Sequence, residues 1–158
     1  MPGLIWENII LAWQGSELVG VAAAWDQRKY RRWRVTGYAP LLRVLRLPLN
    51  AMATFRRLPR FPAPGIQPDY FMLSLVCINN HDAHMFQALL DEIIVRHRDR
   101  FDFFIAGLHE RDPLMPALRA YRHVSMPSRL FAVAWEDGAD SVDRLRPELV
   151  PCLEIGAL

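Results

Sequence analysis

A chain of 158 residues, 52% hydrophobic and 11% aromatic, is long enough to enclose one core and too apolar to be governed by disorder. No uncharged apolar run approaches the ~18 residues a membrane span needs, and the start, MPGLIWENIILAW, lacks the basic leader of a secretory signal, so a cytoplasmic protein is expected. The formal charge of +2 conceals a division: Gln27 to Pro68 holds ten basic residues and no acid, leaving −8 for the rest of the chain.

Residues 8–14 and 18–25, NIILAWQ and LVGVAAAW, are β-rich runs around Gly15, Ser16 and Glu17 and predict a hairpin. Beyond Asp26 the chain enters a basic insertion, 28–68, in which Tyr30, Trp33 and Tyr38 interleave with arginines. That mixture can stack on and neutralise single-stranded nucleic acid; arginine stems and rings laid over a core are its more ordinary use. Residues 40–58 predict two short amphipathic helices broken at Pro48 and docked on a sheet, with an anionic membrane surface as a lower alternative. Pro59, Pro62, Pro64, Gly65 and Pro68 then impose an extended loop.

The run YFMLSLVCI, 70–78, predicts a strand buried on both faces. Asp82 is placed to cap a helix whose apolar stripe is Phe86, Leu89, Leu90, Ile93 and Ile94. FDFFIAGL, 101–108, reads as the next buried strand, so strand, helix and strand make a parallel, right-handed unit. A short helix beginning near Pro113 or Pro116 follows, and RLFAVAW (129–135) and VPCLEIGA (150–157) predict two closing strands around an acidic linker. Cys77 and Cys152, far apart and without metal-ligand spacing, are expected as reduced core residues. The expected fold is one α/β (α+β) domain over 1–158: a mixed sheet with a hairpin, a central parallel strand–helix–strand unit, two closing strands and a helical insertion.

This order of elements resembles the GNAT acyl-CoA N-acyltransferase superfamily over most of the chain, without that family's opening strand and first two helices. The stretch WDQRKYRRW is also similar to a group of GNAT-like bacterial proteins. In the family, a strand leads into Arg/Gln-x-x-Gly-x-Gly/Ala and a helix, because glycines admit the cofactor pyrophosphate to backbone amides at a helix start. Aligned with LVCINNHDAHMFQALL, that signature puts His81 on the Arg/Gln, His84 on the first glycine and Phe86 on the second, so all three positions depart from it. The resemblance implies acetyl-CoA or another acyl-CoA as cofactor, with the Val76, Cys77 and Ile78 edge as a rail for pantetheine and His81, His84 and Asp112 near it. It also implies a general-acid role for Tyr121, in the partial match LMPALRAYRHVSM, where Ser125 and Met126 stand near the family's Gly-Phe and Asp112 near its Asn.

Glu110 is a candidate base for an amine substrate, or a loop carboxylate answering Arg111. His81 and His84 share a helix start, with Cys77 upstream, but four ligands are the rule for structural zinc and no second pair has matching spacing, so no metal is expected. Two functions stand side by side. One is acyl transfer to a small-molecule or peptide amine. The other is a non-catalytic binding module, completed as a homodimer or by an upstream or partner polypeptide. Binding of nucleic acid or membrane through the basic segment ranks below both.

Overall fold

Gly15 reverses the chain: its φ of +62° is left-handed, and Gln14 pairs with Glu17 across the turn. In the computed structural model, which describes residues 2–56, 58, 60–131, 135, 138, 140, 144 and 148–157, this joins β1 (Ile9–Gln14) to β2 (Glu17–Trp25) as an antiparallel hairpin. β2 continues antiparallel onto β3 (Tyr70–Ile78), and β3 pairs parallel with β4 (Phe103–Ile105). The result is an α+β domain with a four-stranded mixed sheet in the order β1-β2-β3-β4.

Between β3 and β4 runs α2 (Ala83–His97), after α1 (Pro40–Arg56) and before α3 (Met115–Arg119). The Asp82 carboxylate accepts from the amides of His84 and Met85 and starts α2 as its side chain predicts. Phe86, Leu89, Leu90 and Ile93 recur at helical spacing and meet Ile10, Ala22, Ala24, Phe71 and Leu73 of the sheet to form the main core. Pro116 stands in the first turn of α3, where a missing N–H is harmless. The opposite sheet face holds a smaller cluster, Trp25, Tyr70 and Met72, covered by Leu4, Ile105 and Ile155. Trp33 stacks on Tyr70 at 5.4 Å.

Several expectations are corrected. Pro48 does not split 40–58 into two helices: α1 runs unbroken through it. Nor does α1 dock on the sheet, for among its residues only Ala53 is buried. β4 spans three residues rather than 101–108, because its pairing with β3 ends at Met72 and Ile105. The closing strand expected at 150–157 does not form: residues 150–154 belong to no strand and lead into a 3-10 turn, Ile155–Ala157. Pro151 has no N–H to give a ladder, and Glu154 turns its carboxylate onto backbone amides. Of the strand expected at 129–135, residues 132–134 lie outside the described residues; Arg129, Leu130 and Phe131 belong to no strand and are exposed. Much of the acidic linker also lies outside the described residues. Cys77 and Cys152 are exposed rather than core residues.

Candidate functional site

The sheet opens where β3 continues past Met72 without β4 beside it. Near the middle of that free half the strand is interrupted. Ala23 pairs with Ser74 and Val21 with Cys77, so two residues of β3 face one of β2. Leu75, inside this bulge, has a φ of +54°, a costly conformation for a branched side chain. Its amide is turned out of the ladder and donates to Glu154 Oε2 at 2.8 Å.

Glu154 Oε1 in turn accepts from the Gly156 amide at 3.1 Å. The Gly156 carbonyl accepts from Gln27 Nε2 at 2.6 Å and from Arg31 at 3.4 Å. Gly156 lies so close to the sheet that a Cβ on it would stand 2.6 Å from the Trp25 ring and 2.9 Å from Ser74 Oγ. On the other flank, a Cβ on Gly107 would stand 2.7 Å from Ile155. The two glycines thus let Glu154–Gly156 lie across the opening, from the chain leaving β4 to the face of β3. Beneath it, Ser74 Oγ and Gln27 Oε1 are buried and have no hydrogen-bond partner among the described residues. Trp25, Gln27 and Arg31 lie in the stretch WDQRKYRRW and Ser74 in an apolar run, but nothing in the sequence joined them to Glu154 and Gly156. A lone carboxylate between Leu153 and Ile155 was the available signal.

The turn from β3 into α2 is strained as well. Asn80 and His81 have φ of 54° and 52°, consecutive left-handed residues in a turn without glycine. The cavity there, lined by Gln14, Val19, Asn79, Asn80, Asp82 and Met85, measures about 80 Å³. Ordinary ligand clefts begin near ~300 Å³. Asp82 already occupies the first amides of α2, and its charge sits where the helix end favours an anion. His81 and His84 are exposed at this turn, while Phe86 points inward and is fully buried.

The remaining sequence-predicted residues fall around this opening as follows. Ile78 belongs to the main core and Val76 packs against it, so of the side chains on the Val76, Cys77 and Ile78 edge only that of Cys77 is exposed. Asp112 Oδ1 accepts from the Leu114 amide at 2.8 Å and shapes the entry to α3. Glu110 is exposed. The Tyr121 hydroxyl donates to Asp91 Oδ1 at 2.7 Å and lies 3.4 Å from the Gln87 carbonyl. Asp91 is eight residues along α2 from Ala83, about 12 Å at the helical rise. Burial, with the Asp91 carboxylate, pushes the phenol up to about 12, so it keeps its proton and acts as a donor at neutral pH. Among the described residues no group of three or more His, Cys, Asp or Glu is placed to hold a metal ion.

A second cleft, of about 300 Å³, lies at the opposite end of β3 and is lined by Asp26, Arg28, Lys29, Gln67 and Asp69. Arg28 bridges Asp26 and Asp69 there. Its hydrogen bond holds the Asp26 carboxyl below the usual range, and Asp26 raises Arg28 in return. Part of the basic block is therefore answered by carboxylates within the fold. Comparison of the chain with known protein families, curated proteins and solved structures gives no match. Among the described residues, no helix is long and apolar enough to cross a membrane.

Proposed function

We propose that the chain is a divergent GNAT-like domain that works as a non-catalytic assembly module. The GNAT-like part of this reading is supported by the order of strands, the parallel β3–α2–β4 unit and the opening beside β3. The assembly part is carried by one observation: among the described residues β1 is an edge strand, and Leu11 and Trp13 on it are exposed together with Leu18 and Trp6. An unprotected apolar edge offers a row of unpaired amides and carbonyls to another strand. A second copy, or a partner polypeptide, would extend the sheet there. Meanwhile the places a cofactor would need are taken by the chain itself, by Asp82 at α2 and by Glu154–Gly156 in the opening.

Sedimentation velocity over a range of concentrations tests this. The expected result is a dimer that Leu11→Lys with Trp13→Lys converts to a monomer, since charged edge residues block strand addition. A monomer at every concentration that also captures no partner strand from an added β1 peptide would overturn it.

The Leu75 amide favours a second reading, acyl transfer from an acyl-CoA to an amine. It points away from the ladder in the opening, where a carbonyl oxygen could replace Glu154. Glu110 would then be the candidate base and Tyr121 the acid, with the Val76–Ile78 edge receiving pantetheine. This reading requires Glu154–Gly156 to move aside. Thermal melting with acetyl-CoA decides between them: a ligand at 100 times its dissociation constant stabilises by about 2.7 kcal/mol. The assembly reading expects no shift.

A further inference from the structure

We propose that α1 anchors this domain to an anionic membrane surface. Most of the apolar surface of α1 is turned away from the domain. The side facing the protein is mixed: Ala53 is buried and Leu42 and Leu49 are half-buried, while the Asn50 amide donates to the Phe61 carbonyl and accepts from the Phe61 amide, and Arg46 reaches the same carbonyl. Tyr38 steadies the same loop, with its hydroxyl on the Pro62 carbonyl and its ring edge-on to Phe61. The apolar side is left to solvent. Leu41 is 73%, Val44 75%, Leu47 71% and Phe55 90% exposed, with Met52 and Pro48 exposed beside them. At 100° per residue these side chains share an unbroken arc of roughly 140°. A helix of this length presents that arc for about 25 Å.

Exposed apolar side chains scattered singly need no explanation, but a contiguous face calls for a partner. Charge selects its kind. The arc is bordered by exposed Arg43 and Arg56 and lies in the block from Gln27 to Pro68 that holds no acid. Pairing α1 with α1 of a second copy would bring like charges together. A helix seated in a protein groove is read through a narrow line of anchors three and four residues apart; this arc is broader and convex. A wide apolar face edged by arginines matches the boundary between anionic headgroups and acyl chains, where the ring and aliphatic groups sink in while the guanidiniums meet phosphates. The proposal does not depend on the β1 edge and uses different residues.

The test is co-sedimentation of the whole chain with vesicles of equal parts phosphatidylserine and phosphatidylcholine, and with phosphatidylcholine alone. Binding is expected to the first and not to the second, weakened on the order of tenfold or more by Phe55→Asp and again by Leu41→Asp. Arg43→Gln with Arg56→Gln should weaken it and flatten its salt dependence. These side chains are exposed, so an unchanged melting temperature accompanies each result. Absence of binding to the anionic vesicles, equal binding to neutral ones, or retention by both aspartate variants would overturn the proposal. So would a dimer that Phe55→Asp dissolves, which would assign the face to a second copy.

Discussion

Replacing Glu154 by alanine asks whether the C-terminal turn holds the sheet opening closed. The carboxylate accepts two amides, from Leu75 at 2.8 Å and from Gly156 at 3.1 Å. Hydrogen bonds to a charged group contribute about 1.5–3 kcal/mol each, and because Glu154 is half-buried the lower end applies, about 3 kcal/mol together. The Leu75 amide has no ladder partner to return to, since the bulge turns it away from β2. In a chain of this length each kcal/mol shifts the melting temperature by about 2–4 °C, so a fall of about 6–12 °C is expected. Glu154→Gln keeps the shape and one acceptor oxygen and should lose about half as much. Hydrogen exchange at Leu75 localises the effect: protection should drop roughly a hundredfold in the alanine variant while the central residues of α2 change far less. Unchanged melting together with unchanged Leu75 protection would refute the clamp. If the alanine variant instead acquires stabilisation by acetyl-CoA that the parent lacks, the segment is a removable cover and the transferase reading gains.

Phe86→Gly should cost about 4–6 kcal/mol, the loss of a fully buried ring plus helical glycine, measured by urea denaturation. His97 is buried against Phe71 and Phe101, and burial, aided by Arg100 and Arg96, lowers its pKa below 6.5. The unfolded chain therefore takes up a proton before the folded one does, so stability is full above about pH 6.5 and falls as pH drops toward the lower folded value. His97→Phe should abolish that slope and stabilise by about 1–2 kcal/mol near neutrality, because both ring nitrogens are buried without partners among the described residues. Tyr121→Phe should remove a phenol that ionises near 12 from the alkaline absorbance titration; loss instead of a phenol titrating near the ordinary value of 10 would show that Asp91 does not hold that proton.

The hairpin, the strand at 70–78, the Asp82 cap and the stripe on α2 were legible because each is local: Gly15 at a reversal, a nine-residue apolar run, a side-chain acceptor just before helical periodicity. The parallel pairing of β3 and β4 was legible from the helix between them. What failed was long-range. Nothing in VPCLEIGA says that Glu154 will find an amide 79 residues earlier, or that Gly156 will lie on Trp25. The pattern of α1 shows two faces but not which one turns inward, and the choice falls to Asn50 and the Phe61 backbone. Cys77 reads as core within an apolar run; the bulge at Leu75 shifts the register around it and leaves it exposed.

On the proposed GNAT-like reading, the turn into α2 stands where a phosphate would be held. α2 must bury positions 86, 89, 90 and 93 to cover the sheet, so residue 86 lies on the inward stripe and a large side chain there adds to the core. A glycine at that position gains only if a ligand uses the exposed backbone. Without one, the first amides of α2 still need an acceptor, and Asp82 supplies it from the chain. The opening beside β3 presents the same need at Leu75, met by Glu154. On the proposed reading both substitutions follow one rule: where a bound cofactor would satisfy backbone donors, this chain satisfies them with its own carboxylates. Removing either carboxylate should then create a vacancy for small anions, with sulfate or pyrophosphate raising the melting temperature of Asp82→Ala more than that of the parent. Equal shifts in the two proteins would separate Asp82 from any such site.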